Sequence, residues 1–296
     1  MKKIKENIEN SIDTSMDTEG IDQNISENGQ KYRLIAKKSL GQNFIHAPQI
    51  ISAMIHAGNV INTDIILEIG PGNGALTSNL LKTGAKIIAI EKDDRAIPIL
   101  QDKFSKEIEN GQLEIIHNDI LAINIASLGL QAHKYKIIAN IPYYISGELI
   151  RKFLESDIQP NKIVIMLQKE LAKRIVDEKG SILAMSIKAY GKPKYIVSVP
   201  RKFFRPIPNV DSAVISIENI SKDFFYLNKI NENQFFEVLK TGFAHKRKVL
   251  IKNLEKVIEK DKLKKIWEKE KIRENTRAEE LKLDDWKKIL FSTEIE

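Results

Sequence analysis

Three glycines follow a short apolar stretch at every second position, and this spacing is the first sign of a binding site. Residues 65–69 are mostly apolar, and Gly70, Gly72 and Gly74 come directly after them. Glycine permits a tight turn and close approach of a ligand to the backbone, at the end of a strand where open α/β sheets bind ligands. Dinucleotide-binding turns have the spacing GxGxxG. The GxGxG spacing favours another ligand, and a turn without any ligand is the alternative.

Acidic residues stand near the ends of three successive apolar stretches. Glu68 precedes the glycines, Glu91 ends the next stretch, and Asp119 with Ile120 follows the third. A carboxylate at the end of the second strand can accept hydrogen bonds from both hydroxyls of a ribose. Asp119 is placed to bond an adenine amino group. The pattern predicts a cofactor that contains adenosine, although each acid alone is also typical of a solvated strand end.

The variant ExGxGxG resembles motif I of S-adenosylmethionine-dependent methyltransferases. We therefore expect S-adenosyl-L-methionine as the cofactor and S-adenosyl-L-homocysteine as its product. A nicotinamide dehydrogenase is the weaker alternative, because it would need GxGxxG.

The fourth apolar stretch ends in Asn140-Ile141-Pro142-Tyr143, which matches the pattern (D/N/S)PPY in its NIPY form. An asparagine oxygen and a backbone carbonyl next to proline can accept both N–H bonds of an exocyclic adenine amine. They would hold the amine so that its lone pair points at the methyl group, with Tyr143 stacked on the base. No general base is required before attack, so catalysis would be mostly positioning. A proline turn that closes a strand is the alternative for these four residues alone.

An adenine inside a duplex cannot reach such a pocket, so the substrate must be single-stranded, looped or flipped out. Phe204, which precedes a proline-rich loop, is a candidate for the second aromatic face of the base, opposite Tyr143. Packing of Phe204 in the core is the alternative.

Composition narrows the class of protein. The chain has 296 residues, a net charge of +7 and no cysteine, which excludes disulfides and cysteine nucleophiles. Its five histidines show no ligand spacing, so we expect no metal. No stretch reaches the ~18–20 apolar residues of a membrane span, and the first residues lack the apolar segment of a secretory signal. We therefore expect a cytoplasmic protein without membrane contact, and nothing demands more than a monomer.

The apolar stretches predict an α/β fold. Candidate strands at 65–69, 86–91, 113–117, 136–140 and 162–168 alternate with amphipathic segments such as 48–59, 74–82 and 94–104. This alternation indicates a mostly parallel sheet covered by helices. Two further candidates, 195–199 and 212–217, lie close together and indicate an antiparallel pair at the sheet's edge. Helical spacing dominates from about residue 231.

Charge is distributed unevenly. Residues 1–30 contain seven acidic and three basic residues and no aromatic residue, which is typical of a disordered tail. Residues 242–273 contain twelve Lys or Arg and five Asp or Glu, which favours a polyanionic partner. A solvated lysine-rich helix face is the alternative, and it is the better interpretation of residues 256–271. The best candidates for contacts with RNA phosphates are His245, Lys246, Arg247, Lys248 and Lys252.

Taken together, these motifs resemble one family, the bacterial small-subunit ribosomal RNA adenine dimethyltransferases linked to kasugamycin sensitivity. The matching segments are KKSLGQNF (37–44), LEIGPGNGALT (67–77), IEKD (90–93), NDI (118–120), NIPYYIS (140–146), FRPIPNVDS (204–212), FAHKRKVLIKNL (243–254) and RAEEL (277–281). The resemblance implies a Rossmann-like methyltransferase domain at 31–222 and an all-α RNA-docking domain at 223–296, after the tail at 1–30. It also implies N6,N6-dimethylation of two adjacent adenosines in a hairpin loop near the 3′ end of 16S rRNA, in the immature small ribosomal subunit.

The family's roles, carried over by position, divide the residues into two sets. Gln42, Asn43 and the loop 68–74 would hold the methionine part of the donor, Glu91 its ribose, and Asp119 with Ile120 its adenine. Asn140, which also borders the donor, would hold the target adenine with Tyr143 and Phe204.

Two other functions remain open. The erythromycin-resistance methyltransferases of 23S rRNA share NIPY and the FxPxPxV loop, and Ile45 and Ile141 lean toward them. Gly41, the GPGNG and ALT segments and RAEEL lean the other way. The second alternative is an RNA-binding assembly factor that keeps the fold without catalysis, against which the intact motifs argue.

Overall fold

Seven strands form the central sheet of the computed structural model, which describes residues 21–22, 33–177, 180–245 and 247–294. The strands in chain order are β1 (Ile21–Asp22), β2 (Arg33–Leu34), β3 (Phe44–Ile45), β4 (Ile65–Ile69), β5 (Lys86–Glu91), β6 (Leu113–His117), β7 (Tyr135–Ala139), β8 (Lys162–Gln168), β9 (Lys192–Val199), β10 (Phe204–Arg205) and β11 (Ser212–Glu218). The central sheet has the order β6-β5-β4-β7-β8-β11-β9, and β11 is antiparallel to both of its neighbours.

The expected mostly parallel sheet with an antiparallel edge is confirmed, but the last strand of the sheet in sequence is not the outermost. Strand β11 lies between β8 and β9, and its residues from Ser212 to Ile217 are all buried. Strand β9 is the edge and is only partly buried. It begins at Lys192, three residues earlier than predicted, because Pro193 is tolerated on an edge strand.

Helices before β11 cover both faces of this sheet, and five more follow it. They are α1 (Pro48–Ala57), α2 (Ala75–Leu81), α3 (Ala96–Lys103), α4 (Ser105–Glu109), α5 (Ser146–Glu155), α6 (Lys169–Val176), α7 (Ile182–Tyr190), α8 (Asp223–Leu227), α9 (Glu232–Phe243), α10 (Leu250–Leu254), α11 (Lys260–Lys269) and α12 (Leu283–Glu294). The three helices predicted by range correspond to α1, α2 and α3, each slightly shorter than expected.

Alternate side chains of the strands belong to two separate buried clusters. In β4, Ile66 packs with α1, α2 and α3, whereas Leu67 belongs to the cluster that contains the buried side chains of α5 and α7. In β5, Ile87 and Ile88 divide in the same way. Successive strand side chains point to opposite faces, so each strand contributes to both layers. The five parallel strands β4 to β8 are therefore packed on both faces, with their carboxyl ends at one edge of the sheet.

After β11 the described chain contains only helices, α8 to α12, as the helical spacing predicted. A domain boundary at residue 222 or 223 would fall immediately before α8. At the other end, Ile21 and Asp22 pair with Leu34 and Arg33. The rest of the predicted disordered tail lies outside the described residues.

A short ladder that the sequence did not predict joins the N-terminal segment to the loop before β11. Phe44 and Ile45 of β3 pair with Arg205 and Phe204 of β10, and the His46 amide donates to the Phe203 carbonyl at 2.8 Å. This ladder brings the end of the GQNF segment against the FR residues of another motif. Within the described ranges, no helix is long and apolar enough to span a bilayer.

Candidate active site

The three glycines of the turn after β4 have positive φ angles of +68°, +56° and +72° for Gly70, Gly72 and Gly74, but their surroundings differ. A Cβ added to Gly72 would lie 2.8 Å from the Phe44 ring, and one added to Gly74 would lie 2.6 Å from the Phe104 ring. A Cβ at Gly70 would meet no atom within 4 Å. Two glycines are therefore required by packing, whereas Gly70 borders open space.

Side chains of two residues outside the glycine turn, Glu91 and Lys103, form hydrogen bonds with its backbone. The Glu91 carboxylate accepts the Gly72 amide at 2.9 Å with one oxygen, and the amides of Lys92 and Asp93 at 2.9 and 2.8 Å with the other. The Lys103 ammonium donates to the Asn73 carbonyl at 2.9 Å. Burial raises the pKa of Glu91. Glu91 borders the cavity, as expected for a ribose ligand, but it already fixes the turn.

Glu68 is a buried acid with an unused oxygen. It is 1% exposed, and neither its Oε2 nor the nearby Thr77 Oγ1 has a hydrogen-bond partner among the described residues. Burial raises the pKa of Glu68 to about 8. The nearby Thr77 and the Lys103 ammonium favour the charged form, although the Thr77 hydroxyl lies outside hydrogen-bonding geometry. They offset only part of the effect of burial, and the charge of Glu91 raises the pKa further. An acid of this kind bordering a cavity is typical of a functional site.

Asp119 is engaged on both oxygens. Its Oδ1 accepts the Leu121 amide at 2.9 Å, and its Oδ2 bonds the Lys92 ammonium at 2.8 Å. This contact with Lys92 lowers the pKa of Asp119. The adjacent Ile120 is buried and supplies an apolar wall. This contact with Lys92 was not predicted from the sequence.

The amide groups of Gln42 and Asn43 are used within the protein. Gln42 donates to Asp93 Oδ2 at 2.7 Å and accepts the Lys37 amide at 2.8 Å, while Asn43 Nδ2 donates to the Gly41 carbonyl at 3.1 Å. Through these two hydrogen bonds, Gln42 connects the N-terminal segment to the residues after β5. Both residues line the cavity, but their assigned contact with a donor remains a prediction.

The NIPY residues lie across the same cavity. Asn140 Nδ2 donates to the Asn43 carbonyl at 3.3 Å, which leaves Oδ1 available as an acceptor. The Tyr143 hydroxyl shares a 2.6 Å hydrogen bond with Ser212, and burial raises the pKa of Tyr143. Phe204 also lines the cavity but is 1% exposed, so it forms an inner wall.

One cavity therefore collects all the predicted donor and acceptor residues except Gly74. It is lined by Gln42, Asn43, Glu68, Gly70, Gly72, Glu91, Asp119, Ile120, Asn140, Tyr143 and Phe204. Gly74 belongs to the same turn but does not line the cavity. Tyr144, which was not among the predicted site residues, also lines the cavity and is 65% exposed. The doubled tyrosine of PYY was the available signal. No group of side chains in the described ranges has the arrangement of a metal site.

The four predicted RNA-binding residues that the structure describes lie outside this cavity. His245, Arg247, Lys248 and Lys252 are exposed around the turn between α9 and α10, and Lys246 lies outside the described residues. The buried Asn253 anchors this turn by donating to the carbonyls of Gly242 and His245 at 2.7 and 3.3 Å.

The sheet order with its single reversed strand, together with the glycine turn and the NIPY wall, defines the class of Rossmann-like methyltransferases. Residues 33–293 match the family described as ribosomal RNA adenine dimethylase. The chain belongs to this family and is an enzyme that methylates adenine in ribosomal RNA, as the motifs predicted.

Individual relatives agree. "Ribosomal RNA small subunit methyltransferase A" of Fusobacterium nucleatum is 40% identical over 259 residues, which cover 86% of this chain and 96% of the relative. The protein of the same name from Clostridioides difficile is 36% identical, and the match covers 87% of this chain and 90% of the relative.

Among solved structures, a dimethyladenosine transferase from Plasmodium falciparum is 27% identical with a TM-score of 0.70, covering 84% of this chain and 96% of that one. The 23S rRNA methyltransferase ErmE has a TM-score of 0.68, and the match covers 85% of this chain and 99% of that one. At 17% sequence identity, this similarity concerns the fold alone.

Proposed function

We propose that this protein transfers methyl groups from S-adenosyl-L-methionine to N6 of two adjacent adenosines in the 3′-terminal hairpin loop of 16S rRNA, during assembly of the small subunit. The observation that carries the proposal is the single cavity that has the glycine turn on one side and Asn140 and Tyr143 on the other. The name of the curated relatives, which specifies the small subunit, supports 16S rRNA as the substrate. We expect the enzyme to act as a monomer in the cytoplasm.

The residues of the turn fit the proposed donor. The space beside Gly70 admits a ligand next to the backbone, and the unpartnered Glu68 oxygen suits the amino group of a methionine moiety. Glu91 is the candidate for the ribose hydroxyls, and Asp119 with Ile120 for the adenine. When bound, the donor supplies an electrophilic methyl group on a sulfonium. S-adenosyl-L-homocysteine is the product.

Asn140 positions the accepting amine. Its Nδ2 donates to the Asn43 carbonyl, so Oδ1 would be the acceptor for the incoming base. With the carbonyl next to Pro142, it would orient both N–H bonds of the amine and hold the lone pair toward the methyl group. The developing positive charge on nitrogen is stabilised by these oxygens, which are already in place.

Tyr143 contributes its ring. Its raised pKa keeps the phenol protonated, so the hydroxyl stays bonded to Ser212 and does not act as a base. The ring is thereby held at the mouth for stacking on the target adenine, and the buried Phe204 limits how deeply the base can enter. The proton leaves after methyl transfer, when the substituted amine has become acidic.

The turn between α9 and α10 is the proposed docking site for folded RNA. Phosphate contacts from His245, Lys246, Arg247, Lys248 and Lys252 would position the enzyme without selecting sequence, while the cavity selects adenine.

The decisive experiment is transfer of labelled methyl groups to immature small ribosomal subunits and, separately, to 23S rRNA, followed by nucleoside analysis. We expect dimethyladenosine in the small-subunit rRNA, and almost none with Asn140→Ala, which should still bind donor. Label confined to 23S rRNA would instead identify the resistance-type activity. Donor binding without transfer to either RNA would favour an assembly factor.

A further inference from the structure

The loop between β9 and β11, residues 200–211, presents positive charge beside the cavity, and we name it the acceptor loop. Arg201, Lys202 and Arg205 are all exposed. Between Lys202 and Arg205, Phe204 turns inward and lines the cavity. The predicted RNA-docking residues of the C-terminal helices do not include any of these three cations.

The backbone places these side chains next to Phe204, which lines the cavity. Phe204 and Arg205 form β10, and successive strand side chains point to opposite sides. Since Phe204 faces the cavity, Arg205 points to the outer side of the same two-residue strand. The ladder with β3 and the bond from the His46 amide to the Phe203 carbonyl keep this segment in place.

Internal contacts rigidify the loop without neutralising its charge. Arg201 donates to the Asn209 carbonyl at 3.3 Å, and Arg205 donates to the carbonyls of Lys202 and Phe204 at 3.2 and 2.9 Å. The acid of the loop, Asp211, accepts the Arg201 backbone amide and lies 3.9 Å from the Lys169 ammonium. In the described part of the chain, none of the three cations forms a salt bridge.

We propose that the acceptor loop binds RNA phosphates on either side of the target adenosine. This inference rests on the proposed function. A nucleotide that is flipped into a pocket keeps its neighbouring phosphates at the mouth, because the RNA backbone continues past it. Guanidinium groups bind phosphate in a bidentate manner, and Lys202 supplies a point charge. Ile207 and Val210, which are 56% and 44% exposed, add apolar surface for an unstacked neighbouring base.

The acceptor loop and the α9–α10 turn would therefore have different tasks. The α9–α10 turn would bind folded RNA away from the cavity. The acceptor loop would set the depth and direction in which the adenosine enters the cavity. Loss of the loop's charge should raise KM for RNA, and S-adenosylhomocysteine should bind as before.

The test measures binding of a 16S 3′-hairpin RNA between about 50 and 200 mM KCl, with S-adenosylhomocysteine present. The variant is Arg201→Gln/Lys202→Gln/Arg205→Gln. The matched control, Lys260→Gln/Lys264→Gln/Lys265→Gln on α11, removes the same charge. We expect the slope of log K against log salt to fall by about 2 and Kd to rise about tenfold for the acceptor-loop variant, with little change for the control.

Lys202→Gln alone guards against disruption of the loop, because the Lys202 ammonium donates no hydrogen bond in the described structure and lies over the Phe203 ring at 5.6 Å. It should lower the slope by about 0.7. Equal losses in the two triple variants, or an unchanged slope in the acceptor-loop variant, would overturn the inference. If the unmodified protein bound neither S-adenosylhomocysteine nor the hairpin, the proposed function itself would fail.

Discussion

At the scale of single residues, the donor side of the cavity contains two carboxylates in opposite situations. Asp119 Oδ2 is already bonded to Lys92, whereas Glu68 Oε2 has no partner in the described chain. The adenine end of the proposed donor would therefore displace Lys92 from Asp119. Its methionine end would supply a hydrogen-bond partner for the buried Glu68. Each of these residues gives a measurable expectation.

Lys92→Met should tighten donor binding. The Lys92 ammonium occupies the Asp119 oxygen that would accept the adenine amino group, and an exposed ion pair of this kind is weak. We expect Kd for S-adenosylhomocysteine to fall by about two- to fivefold by calorimetry. Lys86→Met, at the exposed start of β5, the strand that Lys92 follows, is the control. Weaker binding by Lys92→Met would show that the lysine assists the donor.

Glu68→Gln should remove a pH dependence of stability. The pKa of Glu68 is about 8 in the folded protein and 4.5 in an exposed chain. The unfolded state therefore releases this proton first, so the free energy of unfolding falls as pH rises from 4.5 to 8, by at most about 1.4 kcal/mol per pH unit. Urea unfolding at pH 5 to 8 should show this slope in the unmodified protein and in the exposed-site control Glu114→Gln. Parallel profiles for all three proteins would contradict the burial of a protonated acid.

At the scale of elements, the glycine turn is clamped between a strand and a helix. Phe44 of β3 fills the space beside Gly72, and Phe104 at the end of α3 fills the space beside Gly74. The turn's shape is thus maintained by two aromatic rings from distant parts of the chain. Only Gly70 leaves space for a ligand.

Gly74→Ala should destabilise the protein beyond the cost of its backbone conformation. Its φ of +72° costs an alanine about 1–2 kcal/mol, and the clash with Phe104 adds about 1–3 kcal/mol. Gly111→Ala is a matched control, because Gly111 has a φ of +77° and no atom within 4 Å of an added Cβ. Denaturant unfolding should show the larger loss for Gly74→Ala. Equal losses would remove the role assigned to the Phe104 contact.

At the scale of the whole molecule, one buried cluster extends from a face of the sheet through α7 into the C-terminal helices. At this junction the Tyr190 ring lies 5.2 Å from Phe225 and 5.9 Å from Phe236, and its hydroxyl donates to Glu232 at 2.6 Å. The two regions predicted as separate domains therefore share apolar packing. We expect this continuity to couple their unfolding.

Unfolding should be a single transition. Both tryptophans of the chain, Trp267 and Trp286, are buried in the C-terminal helices and report on that region alone. Their fluorescence should change at the same denaturant concentration as far-UV circular dichroism, which reports on the whole chain. An earlier fluorescence transition would show that the C-terminal helices unfold independently.

Gly242→Ala tests the same coupling. A Cβ at Gly242 would overlap the Trp286 ring, whereas one at Gly147, also within a helix, would meet its nearest neighbour at 3.5 Å. Overpacking should cost Gly242→Ala about 1–3 kcal/mol and shift both signals together. Gly147→Ala should be neutral or slightly stabilising. A shift of fluorescence alone would separate the two regions.

Local patterns in the sequence determined the strands β4 to β8, the glycine turn, the acids at the strand ends and the NIPY segment. Each of these depends on residues close together in the chain and on their periodicity. The tertiary structure alone decided that β11 inserts between β8 and β9 and that β3 pairs with β10. It also decided that the Lys92 ammonium bonds the Asp119 carboxylate and that Phe204 is an inner wall of the cavity. These features depend on contacts between residues distant in sequence, where packing and charge select among arrangements that local propensity leaves equivalent.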